Sequence, residues 1–275
     1  MSGHPNRIVI EDDLRRRHVF QSPPGRIVSL VPSITETVVL LGADQRLVGI
    51  TDYCVHPEDA LADIPRVGGT KNPDVPDILS LEPDVVLANK EENRKRDVEA
   101  LEKQVPVFVT YPTTVRESLK TVRDLGTLLN AEDEAAKFTE ECEGMMRSIA
   151  QDVTVSKPLR TACMIWRDPW MAVGPNTYAS DLLKALGFEN VYGSRKDRYP
   201  VTSLEELAER RPDVILLPNE PYEFDEGDKS FVEDFVNERG VSAMILLLMG
   251  SHLTWFGSRT LAALEYLLDI RRRLG

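Results

Sequence analysis

Two stretches of the chain are near copies of each other, PDVVLAN from Pro83 to Asn89 and PDVILLPN from Pro212 to Asn219. Each is a β-branched apolar run of the length of a buried parallel strand. Each follows an acidic, helix-like run, DILSLE in the first case and LEELAERR in the second. A second pair lies upstream: RIVSLVPSITETVVLLGADQRLVGI (Arg26 to Ile50) reads strand, loop, helix, glycine, strand, as does RTACMIWRDPWMAVGPNTYASDLLKALGFENVYG (Arg160 to Gly193). The pattern predicts an α/β chain of two similar lobes in tandem, each a mainly parallel sheet flanked by helices. A duplicated unit of this size holds its ligand in the cleft between the copies, where the carboxyl ends of the strands face one another.

The join between the copies is itself readable. From Asn130 the sequence runs AEDEAAKFTEECEGMMRSIAQDV, with acidic residues in the first turn and Asn130 placed as N-cap. Ala135, Phe138, Cys142, Met145, Met146, Ile149 and Val153 recur at helical spacing, giving one amphipathic helix of roughly 20 residues and about 30 Å. A methionine stripe at this spacing reads as core rather than as a cofactor site. The expected organisation is an N-terminal lobe over residues 1–130, a linker helix over 131–154 and a C-terminal lobe over 155–275. A stiff helical join predicts small opening and closing motions. Ahead of the first lobe, Arg7 to Ile10 and His18 to Phe20 flank a polar turn and suit a β-hairpin.

Composition narrows the function classes. The net charge of −12 disfavours a nucleic-acid groove, and no Gly-rich phosphate loop occurs. No membrane span is expected. Cys54, Cys142 and Cys163 match neither a zinc spacing nor a disulfide framework and read as buried thiols. The first twenty residues contain no apolar h-region, no small-residue cleavage site and no lipid-attachment cysteine, so as written the chain reads as cytoplasmic. A periplasmic or other extracytoplasmic protein trimmed of its leader would look the same.

The chain resembles the helical-backbone, or class III, substrate-binding proteins of ABC importers, and among them the cobalamin-binding branch. The resemblance rests on PPGRIVSLVPSITETVVLLG, VGITDYCVHP, LEPDVVLAN, the linker helix, GFENVYGSRKDRYPVTSLEELAERRPDVILLP and LTWFGSR before a C-terminal helix. It implies a two-lobed binding protein, monomeric and non-enzymatic, with cobalamin or another corrinoid as ligand and an ABC permease as partner. The alternatives within the same fold are haem, a ferric siderophore, or an intracellular corrinoid binder without an importer.

Side chains at the presumed cleft fit a large flat ligand. Pro32, Ser33, Thr35 and Glu36 follow the first strand, although Ser33 with Glu36 three residues on also reads as an ordinary capping box. Tyr53 follows the strand VGI. In the second lobe Trp166, Trp170 and Met171 follow TACMI, Tyr178 opens the next helix, Tyr199 precedes VTSLEEL, and Trp255 and Phe256 follow MILLLM. All three tryptophans therefore fall in loops or strand ends, where flat aromatic faces suit a corrin or porphyrin. By resemblance, Tyr53, Trp170 or Met171, Tyr199 and Trp255 fall close to the cobalamin pocket of the family, whereas Thr70 and Asn89 replace aromatic residues. Glu220, in NEPYEF, reads as a polar contact to ligand amides.

Family members also present one glutamate per lobe to the permease. Glu205, seven residues before Pro212, matches the second; the same offset before Pro83 lands on Pro76, leaving Asp74 or Asp77 as substitutes. No histidine pair among His4, His18, His56 and His252 has HxxxH or HExxH spacing, so no dedicated metal site is expected. His56 and His252 read either as solvated loop residues or as axial ligands to a corrinoid cobalt or haem iron. Glu91, Glu92, Glu220 and Glu223 lie at strand ends, but no nucleophile elbow or cofactor loop accompanies them; a chelatase-type enzyme is the remaining catalytic alternative.

Overall fold

The computed structural model describes residues 7–153 and 157–274. They divide into two compact units, one containing the chain up to Pro112 with Arg116–Glu141 and Phe256–Ser258, the other Thr113–Val115, Cys142–Trp255 and the chain from Arg259 onward.

The first unit opens with an antiparallel hairpin, β1 (Ile8–Glu11) and β2 (Arg17–Phe20), in which Ile8 faces Phe20. Ile8, Ile10 and Phe20 are buried while Val9 and Val19 are exposed, the two-residue period of a strand with one face inward. There follow β3 (Ile27–Ser29), α1 (Pro32–Leu40), β4 (Leu47–Ile50), the short α2 (Glu58–Leu61), the ladder of β5 (Gly68–Gly69) with β6 (Asn72–Pro73), and α3 (Val75–Ser80). The run ends with β7 (Val85–Asn89), α4 (Lys95–Leu101), β8 (Val107–Thr110) and α5 (Val115–Leu129). Four strands form a parallel sheet in the order β4-β3-β7-β8. Every residue of β7 and β8 is buried, as a strand covered on both faces requires.

Helix α6 (Glu132–Val153) carries the predicted apolar stripe as far as its side chains are described: Ala135, Phe138, Cys142 and Ile149 are buried, Met145 and Met146 are half-buried, and the Val153 side chain lies outside the described residues. Asn130, expected as its N-cap, does something else. It adopts the left-handed conformation at φ 55°, its N–H bonds to Thr127 and the Ala131 N–H reaches back to Gly126 at 2.8 Å. That is a Schellman ending for α5, and asparagine suits it because its short polar side chain tolerates the left-handed region.

The second unit contains β9 (Leu159–Trp166), β10 (Met171–Ala172), α7 (Tyr178–Ala185), β11 (Phe188–Asn190), α8 (Leu204–Glu209), β12 (Val214–Pro218), α9 (Glu226–Glu238), β13 (Met244–Leu248), α10 (Ser251–Thr254) and α11 (Thr260–Arg273). Its parallel strands run β11-β9-β12-β13, the same order as in the first unit. One addition is β10, which pairs antiparallel with the end of β9.

The repeat extends to side chains. Asp84 accepts the N–H of Arg26 at 2.8 Å while the Arg26 guanidinium donates to the carbonyls of Leu81 and Glu82. Likewise Asp213 accepts the N–H of Arg160 at 2.9 Å, and the Arg160 guanidinium donates to the carbonyls of Arg210 and Arg211. In both units an arginine at the start of one strand is therefore tied to the turn that enters its neighbour, which fixes strand register at the amino ends.

The leading hairpin is held by Asp12, whose buried carboxylate accepts from Leu14 and Arg16 N–H groups, from the Arg16 guanidinium and from His18 at 3.1 Å. Burial opposes ionisation there, but the bonds from His18 and Arg16 outweigh it and hold the carboxyl well below the usual range. The three cysteines are buried thiols, and burial pushes Cys163 up to about 12. No helix among the described residues is long and apolar enough to cross a membrane.

Candidate functional site

In the second unit β9 and β12 are parallel neighbours, so the loops that leave their carboxyl ends emerge side by side. Trp166 ends β9 and the loop after it carries Arg167 and Trp170; the loop after β12 carries Tyr222 and Phe224. The rings form a chain: Trp166 meets Tyr222 edge-on at 5.8 Å, Tyr222 meets Phe224 at 4.7 Å, and Phe224 stacks with Trp170 at 6.0 Å and 11°. Phe224 is buried and anchors the group to the core, whereas Trp166 is 41% exposed and Trp170 and Tyr222 are half-buried. The Trp170 carbonyl accepts the Thr202 N–H at 2.9 Å, and Met171, half-buried in β10, bridges to Val201. The result is an aromatic face with a fixed underside and solvent-facing edges.

A cation lies on this face. The Arg167 guanidinium sits 5.6 Å from the Trp170 ring centre and 5.0 Å from that of Phe231, and it is ion-paired with Asp228. Asp228 is buried; its other oxygen closes a capping box with Asp225 at the start of α9.

The remaining sequence-predicted residues are placed as follows. Tyr199 is 38% exposed beneath the Arg198 guanidinium at 5.6 Å. Tyr178 is buried with its hydroxyl 3.2 Å from Thr260. Glu220 is half-buried and packs so closely on Gly250 that any β-carbon at 250 would overlap it. Trp255 is half-buried at the end of α10, with the Arg259 guanidinium 4.6 Å from its ring centre. Phe256 is buried. The adjacent Gly257, at φ 81°, donates its N–H to Ser118 at 2.8 Å, and a β-carbon there would overlap the Thr37 hydroxyl. His252 is half-buried beside Tyr266 at 4.8 Å, while His56 is exposed; His4 lies outside the described residues. Among the described residues no three His, Cys, Asp or Glu side chains converge as a metal site.

In the first unit the capping box at Ser33 does not form. Pro32 occupies the first helical turn of α1, so the N-cap falls on Val31, which offers no side-chain cap, and Ser33 is buried inside the helix with its carbonyl accepting the Thr37 hydroxyl at 2.7 Å. Tyr53 stands out from its loop at 63% exposure. Thr70 and Asn89 are both buried in one polar network. The Asn93 side chain accepts the Asn89 N–H at 2.8 Å and donates to the carbonyls of Thr70 and Leu30, while the Asn89 side-chain Oδ1 accepts the N–H groups of Glu91 and Glu92. A surface depression of about 510 Å³ lined by Arg16, His18 and the 102–107 segment carries none of the predicted residues.

Glu205 is the second residue of α8 and is exposed, with its carboxyl held below the usual range by its own backbone N–H and the Ser203 hydroxyl. Ser203 caps the helix by accepting the Glu206 N–H. Pro76 is the second residue of the equivalent α3, which Asp74 caps by accepting the Asp77 N–H at 3.0 Å.

Sequence reasoning missed Arg167, Tyr222, Phe224, Asp228 and Phe231. The available signal was the alternation of aromatic residues in PYEF directly after the copied strand.

Comparison with known proteins gives four similarities. Residues 27–244 match the family model described as periplasmic binding protein. A vitamin B12-binding protein of Yersinia pestis (strain Pestoides F) is 26% identical over 193 residues, 70% of this chain and 69% of that protein. Among solved structures, the periplasmic vitamin B12 binding protein of Vibrio cholerae superposes with a TM-score of 0.77 at 20% identity, covering 92% of this chain and 98% of its own. The periplasmic haem-binding protein of Roseiflexus sp. RS-1 superposes equally, with a TM-score of 0.77 at 22% identity over 90% and 98%.

Proposed function

The chain belongs to the periplasmic binding protein family, and from that premise we propose that it is the substrate-binding component of an ABC import system whose ligand is cobalamin or a related corrinoid. The observation that carries this reading is the ring-to-ring face of Trp166, Tyr222, Phe224 and Trp170 at the carboxyl ends of β9 and β12. Flat rings on a buried underside offer a macrocycle large contact area with little side-chain entropy to lose. Met171, Tyr199, Glu220 and Trp255 are the proposed neighbours of that face, with Glu220 and the Tyr199 hydroxyl addressing amides at the ligand edge. The similarity to vitamin B12-binding proteins supports the corrinoid.

Haem is the second reading, supported by an equally good superposition on a haem-binding protein. Titration of the purified protein with cyanocobalamin and with haemin, followed by absorbance and calorimetry, separates the two. Saturable binding of cyanocobalamin with weaker haemin binding is expected; the reverse order would replace the corrinoid by haem, and binding of neither would remove the tetrapyrrole reading.

Docking to a permease is assigned to Glu205, an exposed carboxylate at a helix start. On the first unit Asp77 is the better candidate acid, because Asp74 is engaged in capping α3.

A further inference from the structure

We propose that Arg167 and Asp228 act together as a charge filter that makes the aromatic face take a macrocycle edged with neutral amides over one of the same shape edged with a carboxylate. The inference rests on the ligand class proposed above and specifies which periphery that ligand must have.

An arginine lying on aromatic rings is ordinarily an invitation to a carboxylate, since its planar fork matches one in two parallel hydrogen bonds. Here the guanidinium is already committed. It lies over the rings of both Trp170 and Phe231 and is ion-paired with Asp228, whose side chain is only 5% exposed. Drawing Arg167 toward a ligand carboxylate would strand the Asp228 charge in a buried position, and a buried charge that loses its partner is strongly destabilising. A carboxylate that approached without displacing the pair would meet no net positive charge, since Asp168 also lies 3.9 Å from the Arg167 guanidinium, and it would find the negative Asp228 beneath. An amide meets no such penalty, because it can accept from the outer guanidinium N–H groups without taking the cation from Asp228. Asp228 is moreover fixed from behind by the Asp225 N–H at 3.3 Å, so it cannot swing away with the arginine.

The experiment compares cyanocobalamin with the derivative in which one peripheral propionamide has been hydrolysed to the acid, by calorimetry on the wild type, on Asp228→Asn and on the double variant Arg167→Gln/Asp228→Asn. Asparagine keeps an acceptor for the Asp225 N–H, so α9 stays capped. The wild type should prefer the amide by about tenfold or more, Asp228→Asn should reduce or invert that preference by releasing Arg167, and the double variant should be nearly indifferent. If cyanocobalamin binds but Asp228→Asn leaves the acid-to-amide ratio unchanged, the filter is wrong while the corrinoid reading stands. If the wild type binds neither compound, both are wrong.

Discussion

Glu82 and Arg211 share one backbone conformation: each is left-handed, at φ 45° and 47°, and each stands between the end of a short helix and the Pro-Asp pair that leads into a buried strand. A side chain in that region crowds its own carbonyl at a cost of about 1–2 kcal/mol, partly offset against glycine by the entropy glycine loses on folding. Glu82→Gly and Arg211→Gly should each therefore stabilise the protein by about 0.5–1 kcal/mol. Urea denaturation reads the effect; a lowered midpoint in both would mean that neighbouring contacts of these side chains outweigh the strain.

The aromatic face divides into ligand-facing and supporting rings. Trp170→Ala and Tyr222→Ala should each weaken cyanocobalamin binding by roughly 10–100-fold with the fold intact. Phe224 is 3% exposed, so Phe224→Ala should instead lower stability by about 3–5 kcal/mol. Calorimetric titration beside thermal unfolding distinguishes these patterns, and equal loss of stability in all three variants would contradict the division.

The repeat was legible because buried parallel strands leave little choice of residue, so PDVVLAN and PDVILLPN still resemble each other. The arginine ties at Arg26 and Arg160 were not legible as such, since their acceptors are mostly carbonyls. Asn130 was misread because asparagine is favoured both before a helix and in the left-handed residue after one. Ser33 was misread because α1 starts at Pro32, two residues earlier than a cap at Ser33 would place it. The tryptophans drew notice by their rarity, but the part played by Tyr222, Phe224 and Arg167 depends on two loops meeting across neighbouring strands, and local patterning carries no trace of that.

Acid should loosen the leading hairpin. Asp12 has a folded-state pKa below its unfolded value of 3.8, so its contribution is complete above that value and is lost as pH falls through the folded pKa. At neutral pH Asp12→Asn should cost on the order of 2–3 kcal/mol. The gap between wild type and variant should then narrow steadily below about pH 4. A gap independent of pH in denaturant titrations would show that the carboxylate charge is not what holds Arg16 and His18.

Glu205→Ala should leave folding and ligand affinity almost unchanged, because the side chain is exposed, its hydrogen bonds are local to the start of α8, and its ion pair with Arg239 is long, at 4.0 Å. It should reduce association with a permease, more at low salt than at high, as a steering contact does. Adding Asp77→Ala should deepen the loss. Association that is indifferent to both changes would detach these acids from docking.

The network around Asn93 sets different terms for altering the two units. The Asn89 side-chain Oδ1 serves two backbone N–H groups, and the Asn93 side chain holds the Asn89 N–H together with the carbonyls of Leu30 and Thr70. Replacing Asn89 by an aromatic residue would leave the N–H groups of Glu91 and Glu92 without their acceptor. Redesign of ligand preference is thus best begun at Trp166, Trp170 and Tyr222, whose rings can be exchanged one at a time, whereas the loops beyond β3 and β7 are interlocked and must be rebuilt as a set.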